Sequence, residues 1–323
     1  MAQIIVRNLS KNFRVYASLG KRSSISLRRD RRIVNALADV SFSIEAGELV
    51  GYIGPNGAGK STTIKVLSGI LVPDSGTVLV SGRTPWKERV KHVADIGVVF
   101  GQRTQLWWDL PVIESFELLK HIYRVDPQTY RDNVAELSDL LELEPLFDIP
   151  VRQLSLGQRM RCDIAASLLH SPSILFLDEP TIGLDAIAKI AVREFIERIN
   201  REKNITIILT THDMDDIEAL CRRVVVIGRG TILSDGTLSE LRSLVSNRRR
   251  LIVDFEDVNE TVEIPDLELI ERRGRRYIFE FDPGRVPVDE LVAILANLYP
   301  IRDLFVESIP IENIIADYYG GTA

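Results

Sequence analysis

Hydrophobic and polar positions alternate with two different periods along this chain. Gln3 to Arg7 and Val40 to Ile44 alternate with period two, as half-buried strands do. Leu49 to Ile53, Ile96 to Phe100, Ile174 to Leu177 and Thr206 to Thr210 are short, nearly continuous apolar runs. That pattern predicts strands buried on both faces. From Pro111 to about Leu146 the period becomes helical: Ile113, Phe116, Leu119 and Ile122 share one face, and Val134, Leu137, Leu140 and Leu141 share another. A further amphipathic helix is predicted from Ser155 to His170, and another up to Asn200. Buried strands separated by helices predict a doubly wound α/β sheet, with residues 111–170 as a helical insert.

The pattern changes after Ser246. A basic junction, Asn247 to Arg250, leads into a strand at Leu251 to Phe255 and a hairpin of Leu267 to Ile270 with Tyr277 to Phe281 around the turn Arg272 to Arg276. A helix at Val288 to Leu298, a strand at Ile301 to Val306 and a closing helix at Ile311 to Tyr319 complete the reading. The chain therefore divides into a first domain, residues 1–245, and a small α+β domain, residues 246–323. No chemistry-bearing cluster stands out in the second.

The first domain carries several. The strand Leu49 to Ile53 runs directly into Gly54, Pro55, Asn56, Gly57, Ala58, Gly59, Lys60, Ser61 and Thr62, and then into a helix. Gly54, Gly57 and Gly59 let the backbone curl so that several N–H groups face one anion, and the helix from Lys60 adds its positive end. Lys60 is placed to reach the β and γ phosphates of a nucleotide, and the Ser61 hydroxyl a Mg²⁺ ion. The strand Ile174 to Leu177 ends in Asp178 and Glu179, two adjacent carboxylates whose burial is costly unless a cation or substrate uses them. Asp178 suits Mg²⁺ and Glu179 a base that polarises water. His212 follows Thr206 to Thr210 and falls on the same sheet edge. The loop after Phe100 presents Gln102 and Gln105, either of which could sense a γ-phosphate. Ser155 to Gln158 opens a helix and reads either as a cap or as an anion site.

Composition narrows this further. The chain has 323 residues, 45% of them hydrophobic and 27% charged, with a net charge of -6, which argues against general nucleic-acid affinity. Cys162 and Cys221 lie far apart, so neither a disulfide framework nor a CxxC site is indicated, and a reducing compartment fits. No apolar run is long enough to span a bilayer and Met1 to Leu9 lacks a signal-peptide pattern, so any membrane partner is expected to be another polypeptide. Lys21 to Arg32 is strongly basic and reads as a solvated hairpin loop or as a contact for anionic lipid or an acidic partner.

Taken in order, these elements resemble the ATP-binding subunit of ABC transporters over about residues 2–245, and so imply a P-loop NTPase of the ABC-type ATPase fold. The resemblance implies that Gly54 to Thr62 is the Walker A loop, Asp178 the Walker B aspartate and Glu179 the catalytic glutamate. It further implies Asp185 as the D-loop aspartate and His212 as the switch histidine. Gln102 is similar to the Q-loop glutamine, which joins catalysis and the Mg²⁺ shell; Gly101 is an extra residue beside it. Ser155, Gly157 and Gln158 resemble the signature, in which Leu156 replaces a glycine. Phe13, or else Tyr16, matches the aromatic that stacks on adenine. The resemblance thus implies a Mg²⁺-dependent ATPase whose two copies sandwich ATP, working at the cytoplasmic face of the cell membrane on a separate integral permease. No nucleic-acid partner is expected. The Gln102 to Pro111 run, the basic insert and the C-terminal unit are most similar to an exporter branch, with at least one of Trp107 and Trp108 placed to meet the permease. The competing class is a non-transport ATPase of this fold acting on nucleic acid or ribosomes, but the chain has neither a long coiled coil nor a second cassette.

Overall fold

The computed structural model describes residues 2–16, 31–101, 103–245, 248–256 and 266–308. The chain divides into two compact units, Met1–Leu238 and Ser239–Ala323. Composition changes later than packing does: the arginine-rich stretch that suggests a junction at 245/246 comes one helix after this division.

The first unit runs β1 (Ala2–Tyr16), β2 (Arg31–Glu45), β3 (Leu49–Ile53), α1 (Lys60–Leu67), β4 (Ser75–Val80), α2 (Arg89–Val93) and β5 (Ile96–Phe100). It continues with α3 (Val112–Tyr123), α4 (Pro127–Leu141), α5 (Leu156–Leu168), β6 (Ile174–Asp178), α6 (Ala186–Lys203) and β7 (Thr206–Thr210). The last elements are α7 (Met214–Leu220), β8 (Arg223–Gly228) and β9 (Thr231–Thr237). Six strands form a sheet in the order β5-β6-β7-β3-β8-β9, parallel except for the antiparallel edge strand β9. Every residue of β3, β6 and β7 is buried, which is why these strands read as unbroken apolar runs. A second, antiparallel sheet, β2-β1-β4, packs its alternating apolar residues Ile4, Val6, Val40, Phe42, Ile44, Val78 and Val80 into the same core as Tyr52, Ile64, Phe176 and Ile208.

Parallel pairing aligns the strand ends. Asp178 lies opposite Thr210 in the β6–β7 pair, and β7 pairs with β3, so the exits of β6, β7 and β3 stand side by side. Strand order, which periodicity does not encode, is what brings the candidate groups onto one edge.

One expected helical face is corrected. On α3 the buried residues are Val112, Ser115, Phe116 and Leu119, while Ile122 is 61% exposed. Ser115 occupies the core side because its hydroxyl accepts the Trp107 N–H at 3.2 Å, and the buried stripe ends one turn before Ile122.

The second unit contains α8 (Leu238–Val245), which begins at the division, then β10 (Arg249–Phe255), β11 (Glu268–Arg273), β12 (Arg276–Phe281), α9 (Val288–Leu298) and β13 (Ile301–Ser308). An antiparallel sheet β11-β12-β10-β13 buries Leu251, Val253, Phe255, Tyr277, Phe279 and Phe281 against Leu291 and Leu295 of α9. Alternation with period two thus gives this sheet one packed face. The expected closing helix, 311–319, and most of the basic insert, 21–32, lie outside the described residues.

Candidate nucleotide site

The turn from β3 into α1 owes its shape to its glycines. Gly57 (φ 82°) and Gly59 (φ 114°) hold the left-handed backbone that L residues rarely adopt. At Gly54 a Cβ would lie 2.2 Å from the Ile227 carbonyl oxygen, so only glycine lets the loop approach β8 this closely. Gly59 stands at the N-cap of α1 and has no side chain to cap it, so the N-cap residue itself accepts nothing from the first turn of that helix. The Lys60 ammonium folds back over the loop, donating to the carbonyls of Gly54 (2.6 Å) and Pro55 (3.3 Å). Burial lowers its pKa, while the charges of Glu179 and Asp178 act in the opposite direction.

Around this turn the structure gathers a cleft of about 470 Å³ lined by Asn35 and Ala36 of β2, by Gly57, Lys60 and Thr62, and by Glu179 and His212. A second hollow, of about 350 Å³, shares Ser61 and Glu179 with it and reaches Asp178, Gly101 and Arg103. Asp178 accepts hydrogen bonds through Oδ1 from Ser61 Oγ at 3.2 Å and from the buried Thr210 hydroxyl at 2.5 Å. Ser61 and Asp178 thus set two hard oxygen atoms side by side, a donor set of the type that suits Mg²⁺, which binds one or two protein oxygens and otherwise keeps water and phosphate. Among the described residues no three His, Cys, Asp or Glu side chains converge.

Glu179 sits in a strained left-handed conformation, φ 60°. Its N–H donates to the Thr210 carbonyl at 2.9 Å, and its Oε2 lies 2.5 Å from His212 Nδ1. Gly101 has a role that its sequence position did not reveal. A Cβ there would stand 2.0 Å from the Glu179 carbonyl oxygen, and its N–H donates to the Asp178 carbonyl at 2.8 Å, so β5 can pass the carboxylate turn only as glycine.

Other expected residues fall elsewhere. Ser155 caps α5 in a reciprocal box: its hydroxyl accepts the Gln158 N–H at 3.2 Å and its own N–H donates to Gln158 Oε1 at 2.9 Å. Gly157 lies where a Cβ would press on Ala188, 3.2 Å away. Asp185 caps α6 by accepting the Ala188 N–H at 2.8 Å. None of Ser155, Gly157, Gln158 and Asp185 lines the cleft of the same chain. Phe13 pairs with Val34 across β1 and β2, and so shares a sheet face with a cleft-lining residue, but it does not line the cleft itself; Lys11 Nζ lies 5.8 Å from its ring centre. Gln105 is turned away, donating through Nε2 to the Asp163 carbonyl at 2.8 Å. Gln102 and the Tyr16 side chain lie outside the described residues.

The groups that hold the segment around His212 do not stand out as a site in the sequence. Asp216, fully buried, accepts from Thr181, from Thr211 at 3.1 Å and from Arg193 Nε at 2.5 Å, and Asp213 pairs with Lys189 and, at 3.6 Å, with Arg193. These contacts tie the segments on either side of Glu179 and His212 to α6. The sequence offered a signal: two cations four residues apart, Lys189 and Arg193, and an acidic run, Asp213, Asp215 and Asp216, just after His212.

Residues 37–182 match the family described as ABC transporter. The ABC transporter ATP-binding protein NatA of Bacillus subtilis (strain 168) is 34% identical over 211 residues, which span 65% of this chain and 85% of that protein. The chain belongs to the ABC transporter ATP-binding family. The methionine import ATP-binding protein MetN 2 of Enterococcus faecalis (strain ATCC 700802 / V583) is 34% identical over 266 residues, 79% of this chain and 77% of that protein. Among solved structures, the dimeric post-hydrolysis state of the ATP-binding cassette MJ0796 bound to ADP and Pi superposes with a TM-score of 0.61 at 26% identity, over 73% of this chain and 98% of that one. The fold is therefore that of the ABC ATPase, and this family member is an ATP-hydrolysing subunit of a transport system. No helix among the described residues is long and apolar enough to cross a membrane.

Proposed function

We propose that this chain is the motor of an exporter, acting as a homodimer docked on the cytoplasmic face of a separate integral permease. The observation that carries the reading is the convergence of Gly57, Gly59, Lys60, Ser61, Glu179 and His212 on one cleft. Backbone N–H groups of Gly57 to Lys60 and the Lys60 ammonium hold the phosphates; Glu179 orients and polarises the attacking water; His212, bonded to Glu179, fixes that carboxylate and meets the charge that develops on the phosphoryl oxygens. Ser61 and Asp178, with Gln102, are the residues that would hold Mg²⁺, which when bound neutralises phosphate charge. Phe13 is the proposed adenine contact, on the face it shares with Val34.

Ser155, Gly157, Gln158 and Asp185 serve the phosphate loop of the second copy. Their absence from the cleft of their own chain and the dimeric MJ0796 cassette both support that assignment. Closure of the two copies on ATP, and opening after hydrolysis, supplies the stroke. Trp107 and Trp108, 38% and 52% exposed, are the proposed anchor for the permease. Double alanine substitution is expected to weaken permease binding at least about tenfold, as loss of aromatic interface anchors does. Co-purification from membranes reads this directly, and undiminished association would remove the two residues from the interface.

Export rests on the resemblance carried by the basic insert, the Gln102 to Pro111 run and the C-terminal unit; MetN 2 is named for import. Proteoliposomes with the ATPase outside, screened for compounds that stimulate hydrolysis, decide it. An exporter accumulates the stimulating compound in the lumen, and ATP-driven release from the lumen would reverse the direction.

A further inference from the structure

Asp163 is a carboxylate in the middle of the apolar face of α5, only 4% exposed, among Cys162, Ile164, Ala165 and Ala166, all of them buried. Burial lifts its pKa to about 6. A helix gains nothing from such a residue on its own account, since an apolar side chain there avoids the desolvation cost. What uses it is the loop that follows β5. Asp163 Oδ1 accepts the Thr104 hydroxyl at 2.8 Å and the Gln105 N–H at 3.0 Å, while its main-chain carbonyl accepts Gln105 Nε2 at 2.8 Å. Thr104 Oγ1 in turn accepts the Leu106 N–H at 3.1 Å, so three successive loop residues are organised around one carboxylate.

A second contact lies one turn earlier on the same helix. The Arg159 guanidinium stands over the Trp108 ring, 5.7 Å from its centre. Ser155, Arg159 and Asp163 are spaced by four and therefore lie along one face of the helix, from its cap inward. Further along the loop, Arg152 donates its N–H to the Trp108 carbonyl at 3.0 Å, and Val151 donates to Leu110 at 3.1 Å. At its other end the loop begins at Gly101, which is bonded to Asp178.

We infer that Asp163, with Arg159, clamps residues 103–110 onto the helix that begins at Ser155, and that Asp163 is a positioning residue for hydrolysis. The clamp makes loop and helix one mechanical piece, so displacement of the Trp108 end moves Ser155 with it. This rests on the proposed role of Ser155 at the ATP of the second copy.

The test uses the full-length protein with its permease and follows ATP hydrolysis across ATP concentration. Asp163→Ala is expected to lower kcat about tenfold while KM for ATP stays within about threefold, because the phosphate loop is untouched. Asp163→Asn keeps an oxygen at the Oδ1 position, accepts the same two donors, and should return kcat to within about threefold of wild type. Thr104→Val should lower kcat in the same direction, and adding it to Asp163→Ala should cost less than the sum of the two single changes, since both remove the Thr104–Asp163 hydrogen bond and only Thr104→Val also removes the Leu106 contact. Arg159→Ala should reduce the stimulation by permease. A wild-type kcat in Asp163→Ala, a lowered melting temperature with unchanged kcat, or an Asn variant as slow as the Ala variant would each overturn the clamp. If Asp163→Ala does not fold, Thr104→Val and Asp163→Asn still decide the matter: the first slowed and the second not. Failure of the Ser155 assignment is seen separately, in dimers mixed from Lys60→Ala and Ser155→Ala chains, where activity would not recover.

Discussion

Two helix starts in this chain carry glycine and an expected anion contact, yet they are built in opposite ways. α1 begins at Gly59, which has no side chain to cap the helix, in a loop whose glycines adopt left-handed backbone and pass within contact of β8. α5 begins at Ser155, which closes its own helix end through the reciprocal box with Gln158. The first start has no side-chain cap for its N–H groups; the second satisfies the Gln158 N–H, and that of Ser155 itself, within the chain. The difference teaches why the two halves of the proposed site tolerate separation: the helix that begins at Ser155 closes its own end with residues of its own chain.

The most severe test of that division is Glu179→Gln. Turnover should fall by ~10²–10⁴-fold, the range of a positioned general base, while ATP still binds and the dimer accumulates by size-exclusion chromatography with ATP. Normal steady-state hydrolysis would sink the assignment. Lys60→Ala removes charge-assisted contacts to phosphate and is expected to weaken nucleotide binding roughly ten- to a hundredfold by titration calorimetry. Ser155→Ala should leave that affinity near wild type but lower turnover and, by loss of the cap, unfolding stability by about 1 kcal/mol in a denaturant titration.

Mixing the last two proteins sharpens the comparison further. Each mixed dimer would pair an intact phosphate loop with an intact signature at one of its two sites, so activity should reappear on mixing. No recovery would mean that the two halves work within one chain.

The smallest expected effect lies away from both starts. His92, 1% exposed and bonded through Nε2 to the Leu67 carbonyl at the end of α1, and His170 have pKa values lowered chiefly by burial. The unfolded chain binds protons on these rings more readily than the folded one. Their contribution to stability is therefore present above the ordinary histidine pKa of about 6.5 and is lost as pH falls through that value towards the lowered ones. Asp163 acts with the opposite sign, since its raised pKa favours the folded state most at low pH and less as pH rises from about 4 towards 6. Denaturant midpoints at pH 5 and 7 for wild type and His92→Gln measure the first effect, and the variant should have the shallower dependence.

The glycine loop and the carboxylate pair Asp178 and Glu179 were legible as local features because local order suffices to read them: strand, glycines, lysine and helix for one, an apolar strand ending in carboxylates for the other. Gly101 was legible only as an extra residue. Its necessity lies in a contact with the turn at Glu179, far away in sequence. Asp163 was invisible for a related reason, and Asp216 was marked only by the acidic run it belongs to. Charged residues within helical patterns read as solvent-facing, whereas each is buried by donors that other elements supply.

By itself the sequence determined the period of each segment, the backbone freedom of the phosphate loop and the residue types available for phosphoryl transfer, since these depend on neighbours along the chain. Tertiary structure decided strand order, and with it the meeting of Ser61, Asp178, Glu179 and His212. It also decided that Gln105 turns to α5 and that Ser155 stays out of the cleft of its own chain. The physical reason is that contacts between residues far apart in sequence depend on how sheets pair and layers pack, and hydrophobic periodicity leaves that choice open.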